Sequence, residues 1–310
     1  MFLNGLRENT LESFEIISYA KIGVESFLAL GCHRDSLTEL KLSSLTYEST
    51  VALAMLKGCT SLKILHLQDL SCTDLAVTQK DIYLEIMAWL QSCKRLEEIS
   101  LDGFFNATAV LKPLLLDDQI HLLKVAVEGY FVPDNRGVHQ ALAHQKTLES
   151  LRLGGDSEDA PRDDVDIFVE SLCSLTHLRE LSLRDVSDCF QDEHICQLAR
   201  NLPELEGLWT SGFRITDAIW EDVSGLSKLK RLDIAAMTRF SAEGILNFIS
   251  ELGPGNKGLV LVIMNADVDS NISDEWQAVI RETLATKLDG RWDFTPMRGM
   301  TNWTHFMMSC

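Results

Sequence analysis

The sequence predicts an α/β solenoid, with parallel strands on one side and helices on the other, and three observations carry that prediction. A short apolar pattern recurs along most of the chain. Its copies are spaced by about one strand–helix unit. The segments between copies follow helical rather than strand periodicity.

The pattern is an apolar residue, two variable residues, an apolar residue, one variable residue and a last apolar residue. It runs through Leu11, Phe14 and Ile16, then Leu37, Leu40 and Leu42, then Leu62, Leu65 and Leu67. Leu96, Ile99 and Leu101 follow, with Leu122, Val125 and Val127, and then Leu148, Leu151 and Leu153. Leu178, Leu181 and Leu183 repeat it, as do Leu229, Leu232 and Ile234. Between these two lies Leu205, Leu208 and Thr210, where an apolar residue is due. A weak tenth copy is Leu259, Val262 and Met264. The steps between first positions are 26, 25, 34, 26, 26, 30, 27, 24 and 30. Leucine-rich repeats have a period of roughly 20 to 29 residues, so the fold class is a leucine-rich-repeat solenoid and the longer steps imply insertions.

The last two apolar residues of each copy lie two apart and therefore share one face of a short strand. Parallel strands need a crossover of a dozen or more residues, usually helical. Residues 81–93 supply one, with Ile82, Ile86, Trp89 and Leu90 on one helical face. Residues 164–175, 193–202 and 242–252 behave likewise. Strands are expected on the concave side of a horseshoe and helices on the convex side. One repeat cannot bury its own stripe, so copies stack and the ends need caps. Ser273 opens a helix with Asp274 and Glu275 in its first turn and Gly290 past its end. Its Trp276, Val279, Ile280 and Leu284 are expected to close the last repeat. The predicted organisation is a solenoid over 1–272, a C-terminal cap helix over 273–290 and a tail over 291–310 that carries Trp292, Phe294, Trp303 and Phe306. Met1 stands ten residues before the first motif, which predicts an uncapped N-terminal end and a chain that begins inside a solenoid.

Composition narrows function. The 310 residues are 46% hydrophobic, enough for a sizeable core, and the net charge of −18 repels a polyphosphate over most of the surface. No nucleic-acid partner and no membrane partner are expected. The first seven residues do not make a secretory signal, and no apolar run is long enough to span a bilayer. Eight cysteines without a signal read as reduced thiols, so the expected location is intracellular, cytoplasmic or nuclear. The sequons at Asn106, Asn271 and Asn302 receive no role on that reading.

Motifs for chemistry are sparse. The glycines of 253–258, GPGNKG, lack P-loop spacing and read as a turn between helix and strand. Cys32, Cys59, Cys93 and Cys173 recur near one repeat position and read as buried small hydrophobes. His139 and His144 are five apart, which reads as a solvated helix. The acidic run 154–166, GGDSEDAPRDDVD, reads as a solvated or partner-facing loop on the rim, with calcium the lesser alternative. No cofactor, metal or catalytic constellation is expected, and hence no enzyme.

The stretches GCTSLKILHL around Cys59, QSCKRLEEISL around Cys93 and RITDAIWEDVSGLSKLKRLDI over 214–234 resemble the cysteine-containing repeats of F-box proteins. NTLESFEIISY and SLTELKLSSL, within 9–45, resemble leucine-rich-repeat F-box proteins of filamentous fungi. The resemblance covers about 10–265. It implies the substrate-recognition region of a ubiquitin-ligase receptor, whose helical F-box docks a cullin-ligase adaptor. No F-box stands in the 310 residues, so that partner requires an F-box outside this chain. The asparagine usual after the third apolar residue is mostly missing, as in the cysteine-type repeat.

Strand alternation marks the expected binding face. Positions two, four and six after each first leucine point away from the core. The first five copies carry five acids and two bases there, and the next four carry two acids and three arginines with a tryptophan. Arg152, Glu180, Arg184, Trp209, Arg231 and Asp233 are therefore the candidate contacts for a protein partner on the concave face. The competing reading turns Trp209 inward in place of Thr210. The function expected is a non-catalytic protein-interaction scaffold. The alternatives are an acidic adaptor or inhibitor that captures a basic protein, as ribonuclease inhibitor does, and a GTPase regulator.

Overall fold

A computed structural model describes residues 3–16, 22–71, 73–104, 107–133, 135–155, 161–267 and 272–297. The chain divides into two compact units, Met1–Tyr130 and Phe131–Cys310. Each is a run of parallel strands joined by right-length crossovers, as the repeat predicts.

In the first unit the strands are β1 (Ser13–Glu15), β2 (Glu39–Leu45), β3 (Ile64–Asp69), β4 (Glu98–Asp102) and β5 (Lys124–Glu128). They pair in chain order, all parallel. Leu40, Leu65, Ile99 and Val125 stand side by side across β2 to β5, and each is buried. The first copy is different: Leu11, Phe14 and Ile16 are only half-buried, on a strand that pairs on one side. The step of 34 is explained by an extra turn, Leu75–Thr78, ahead of the helix Lys80–Ser92. That helix buries Ile86, Trp89 and Leu90, while Ile82 is half-buried.

A shared backbone feature ends several strands. Ser44, Gly103, Gly129 and Asp185 have φ of 57°, 67°, 80° and 53°, and each lies seven residues after its first leucine. Gly103, Gly129 and Asp185 directly follow β4, β5 and β7, where the chain turns out of the sheet, and Ser44 lies in the register shift between Leu42 and Leu45 of β2; both turns call for the left-handed conformation. At Gly103 the need is absolute, because a Cβ would sit 2.2 Å from the Asp69 carbonyl oxygen.

The second unit holds β6 (Ser150–Gly154), β7 (Glu180–Arg184), β8 (Gly207–Thr216), β9 (Arg231–Arg239), β10 (Val260–Ala266) and β11 (Arg291–Pro296). Their order again follows the chain, and every pair is parallel. Helices Arg162–Cys173, Asp192–Asn201 and Ala242–Glu251 fall where the periodicity places them. β8 and β9 run for ten and nine residues, against five in β7, and stay paired through Thr216 and Arg239. Trp220 fills the space beneath them, stacked on Phe248 at 4.7 Å and tilted on Phe240 at 4.5 Å.

Three local expectations change. The tenth copy is shifted by one residue: Leu261 and Ile263 align with Leu232 and Ile234 and are buried, so Val262 and Met264 face the other way. Strand side chains alternate, so a one-residue shift exchanges the two faces. The helix Asp274–Leu288 buries Ile280, Leu284 and Leu288, whereas Trp276 and Val279 are exposed. Finally, residues 291–296 of the tail form β11, paired along β10 with Trp292 buried. Trp303 and Phe306 lie outside the described residues, as do the sequon asparagines Asn106, Asn271 and Asn302.

Candidate functional site

The face of the second unit turned away from its core carries the candidate contacts. Register places Arg152, Ser182, Trp209, Asp233 and Val262 in one row across β6 to β10. The row before it holds Ser150, Glu180, Gly207, Arg231 and Val260. Thr210 is fully buried and takes the inward position, its hydroxyl donating to the Ser211 carbonyl at 2.9 Å. Trp209 is half-exposed on the outward face. A polar residue therefore fills the core position without turning the tryptophan inward, because the hydroxyl finds a backbone acceptor.

The charges on this face are largely held by one another. Arg152 donates to Glu180 at 2.7 Å. Arg231 grips Asp233 with two bonds, Nε at 2.5 Å and Nη2 at 2.8 Å. Asp233 is buried beneath that guanidinium, although its position in the strand is an outward one. The Asp233 contact raises the Arg231 pKa, chiefly through the hydrogen bond. Arg184 is exposed at the end of β7, opposite Gly154. All six candidates share one strand face, and four of them form two ion pairs, Arg152–Glu180 and Arg231–Asp233, on either side of the tryptophan's strand.

Sequence reasoning missed the apolar part of this face. Phe213 and Met237 stand opposite each other at the far ends of β8 and β9, and both are half-exposed. Ala235 and Met264 stand opposite each other across β9 and β10. The signal was present: TSGFRIT and AAMTRF continue strand alternation beyond the usual turn. Val262 and Met264 were hidden by the shifted tenth copy. The Arg214 guanidinium lies over the Phe213 ring at 5.1 Å.

In the first unit the same face is polar. Lys41 and Glu39 approach to 2.5 Å, His66 and Glu98 to 2.6 Å, and Lys124 and Glu98 to 3.3 Å. Gln68 donates to Asp102 at 2.7 Å. Ile17 lies outside the described residues.

The remaining motifs resolve into structure. Cys59 and Cys93 are buried, and burial pushes their thiols up to about 11 and about 12. The Cys59 carbonyl accepts from Trp89 Nε1 at 3.1 Å. Cys32 is exposed and Cys173 half-buried, contrary to the expectation for all four. His139 is also not solvated: it is buried, 4.8 Å from the Phe168 ring, and burial pushes its pKa down to about 4. His144 is exposed. The GPGNKG turn forms a 3-10 turn, Pro254–Asn256, in which buried Asn256 donates to the carbonyls of Leu226 and Leu229 at 2.8 and 3.1 Å. Of the acidic run, 156–160 lies outside the described residues. Its later acids open the helix Arg162–Cys173, where Asp164 pairs with Arg136 and Asp166 with His194. Acids favour a helix N-terminus, and among the described residues no cluster of three or more His, Cys, Asp or Glu is placed to hold a metal. No described helix is long and apolar enough to cross a membrane.

No protein-family model matches the chain, and no curated protein matches it. Among solved structures it is similar to an internalin, inlF, from Listeria monocytogenes, at 16% identity and a TM-score of 0.49, covering 92% of this chain and 74% of that one. It is also similar to the leucine-rich-repeat-containing protein LegL7 from Legionella pneumophila, at 14% identity and a TM-score of 0.46, covering 91% and 92%. TLR13, solved in a complex with ssRNA13, is 16% identical with a TM-score of 0.46, and this chain covers 33% of it. The leucine-rich-repeat fold stands on the repeat and its parallel register, independently of these likenesses.

Proposed function

We propose that the chain is a non-catalytic protein-interaction scaffold whose binding site is the outward strand face of the second unit. The observation that carries this reading is Trp209, held half-exposed among arginine–carboxylate pairs on a rigid sheet. Tryptophan and arginine are the residues most enriched at interface hot spots. Arg152, Glu180, Arg184, Trp209, Arg231 and Asp233 are the proposed contacts. The test is recovery of partner protein from cell extract by the Trp209→Ala and Arg184→Glu variants, each with unchanged circular dichroism. Loss of about ten-fold in either supports the site. Undiminished recovery by both sinks it.

The finer reading is the substrate-recognition region of an F-box-like ubiquitin-ligase receptor. Buried Cys59 and Cys93, at equivalent repeat positions, support it as the cysteine-type repeat. Recovery of the cullin-ligase adaptor by the full-length gene product tests it. A second reading, an acidic adaptor for a basic protein, is favoured by one observation. β1 to β5 carry six acids against two lysines. That reading requires binding through the first unit that weakens steeply with salt.

A further inference from the structure

We propose that the inserted turn Leu75–Thr78 and the ends of β3 and β4 form a docking surface, in the first unit, for a basic peptide segment bearing a large apolar side chain. The inference deepens the second reading above, an acidic adaptor for a basic protein, by naming the place and the chemistry. The turn is the insertion behind the step of 34. It is held in place: Asp74 accepts from the Val77 N–H at 3.2 Å, Thr78 Oγ1 donates to the Asp74 carbonyl at 2.7 Å, and Gln79 Nε2 donates to the Tyr47 hydroxyl at 3.1 Å. Yet this fixed turn projects Val77, which is 79% exposed, and Leu70, just after β3, is 56% exposed. Their chain neighbours, Ala76 and Asp69, line one small cavity of about 20 Å³, walled by Leu67, Leu75, Leu101 and Phe104. A space of that size holds one water and no side chain. An apolar group therefore lies over its mouth, against Leu70, Val77 and the half-exposed Phe104. Exposed apolar groups gathered at one place mark a contact surface.

Charge complementarity selects the occupant. Residues 64–93 hold four acids, Asp69, Asp74, Asp81 and Glu85, against one lysine, Lys80. Asp102 ends β4, the neighbouring strand. Asp69 accepts from the Ser71 N–H at 2.8 Å and its hydroxyl at 2.7 Å, and Asp102 accepts from Gln68 Nε2 at 2.7 Å. These donors are neutral, and among the described residues Asp69, Asp81 and Asp102 make no ion pair. Asp69 is also buried. A buried carboxylate with no cation beside it carries a desolvation cost, which a partner's guanidinium or ammonium offsets. Arginine and lysine have apolar stems, so such a side chain follows the apolar wall while its head meets Asp69 or Asp102. An acidic segment is repelled from the same place. The docked segment covers the strand ends and leaves Leu84, on the outer side of the helix Lys80–Ser92, clear.

A display library of random short peptides, selected on the intact chain, tests this. Selected peptides are synthesised with a fluorophore, and their affinities are measured for wild type, Leu70→Ser, Val77→Ser, Asp102→Asn and the second-unit control Trp276→Gln. The expected peptides are net positive, carry at least one large apolar residue, and bind less tightly as salt rises from about 50 to 500 mM. Leu70→Ser and Val77→Ser each weaken them about ten-fold or more, Asp102→Asn weakens them about five-fold or more, and Trp276→Gln leaves them unchanged. Leu70 and Val77 are exposed and Asp102 half-exposed, so unchanged circular dichroism and urea unfolding are expected for all three variants. Basic peptides that weaken with salt but ignore all three substitutions overturn the inference and leave the adaptor reading standing. Selected peptides that are acidic or neutral overturn both.

Discussion

Thr210 shows how a single hydroxyl is accommodated in an apolar ladder. It is fully buried between Leu183 and Ile234, and its hydroxyl donates locally, to the next residue's carbonyl. A bond of that kind contributes about 1 kcal/mol net, and a valine of the same shape removes the group that needs it. Thr210→Val is therefore expected to change stability by no more than about 1 kcal/mol in urea unfolding. Gly103 is the opposite case. Its positive φ and the Asp69 carbonyl 2.2 Å from any Cβ leave no room for a side chain. Gly103→Ala is expected to cost about 2 kcal/mol or more by the same measurement. His139 ties stability to pH. Its pKa is about 4 in the folded chain, against 6.5 for a free imidazole, because burial disfavours the cation. Between those values the unfolded chain holds the extra proton, so acid favours unfolding. The contribution is whole above 6.5 and is lost as pH falls through to about 4, a loss of about 3 kcal/mol. His139→Leu is expected to flatten the pH dependence of stability in that window; an unchanged slope contradicts the assignment.

At the scale of elements, the helix Asp274–Leu288 separates a helical stripe from its fringe. Ile280, Leu284 and Leu288 recur every four residues and are buried. Trp276 continues that spacing toward the N-terminus yet is exposed, and so is Val279. Leu284→Ala is expected to lower stability by about 2 to 5 kcal/mol, because a cavity remains. Trp276→Gln is expected to change it by less than about 0.5 kcal/mol. The strand after this helix was legible in principle. Trp292 and Phe294 alternate with Arg291 and Asp293, and Trp292 lies 31 residues after its partner Leu261. The leucine triplet is absent there, so the repeat was not read that far. The nine strong copies were legible because one spacing decides both register and face. The tenth failed because Leu259 begins a run of alternating apolar residues in which both faces are hydrophobic, and parity alone cannot choose between them. Val262 and Met264 were lost with that parity, and Phe213 and Met237 because β8 and β9 continue past the usual turn. The charged half, Arg152 to Asp233, was legible since each member falls at a fixed offset from a secure leucine.

For the whole molecule, the uneven distribution of charge matters more than its total. The net charge of −18 is spread so that the strands of the first unit are acidic and those of the second carry an excess of arginine. On the proposed function, such a distribution steers partners by sign before contact, and the strand face around Trp209 is where affinity is expected to reside. The most direct measurement places a photo-crosslinking phenylalanine analogue at Met237, on the strand face of the second unit, or at Leu84, on the outer side of the helix Lys80–Ser92. Each chain is irradiated in the cells that express it. A protein partner captured from Met237 and not from Leu84 is the predicted result. Capture from Leu84 alone, with none from Met237, would contradict a binding site on the strand face of the second unit.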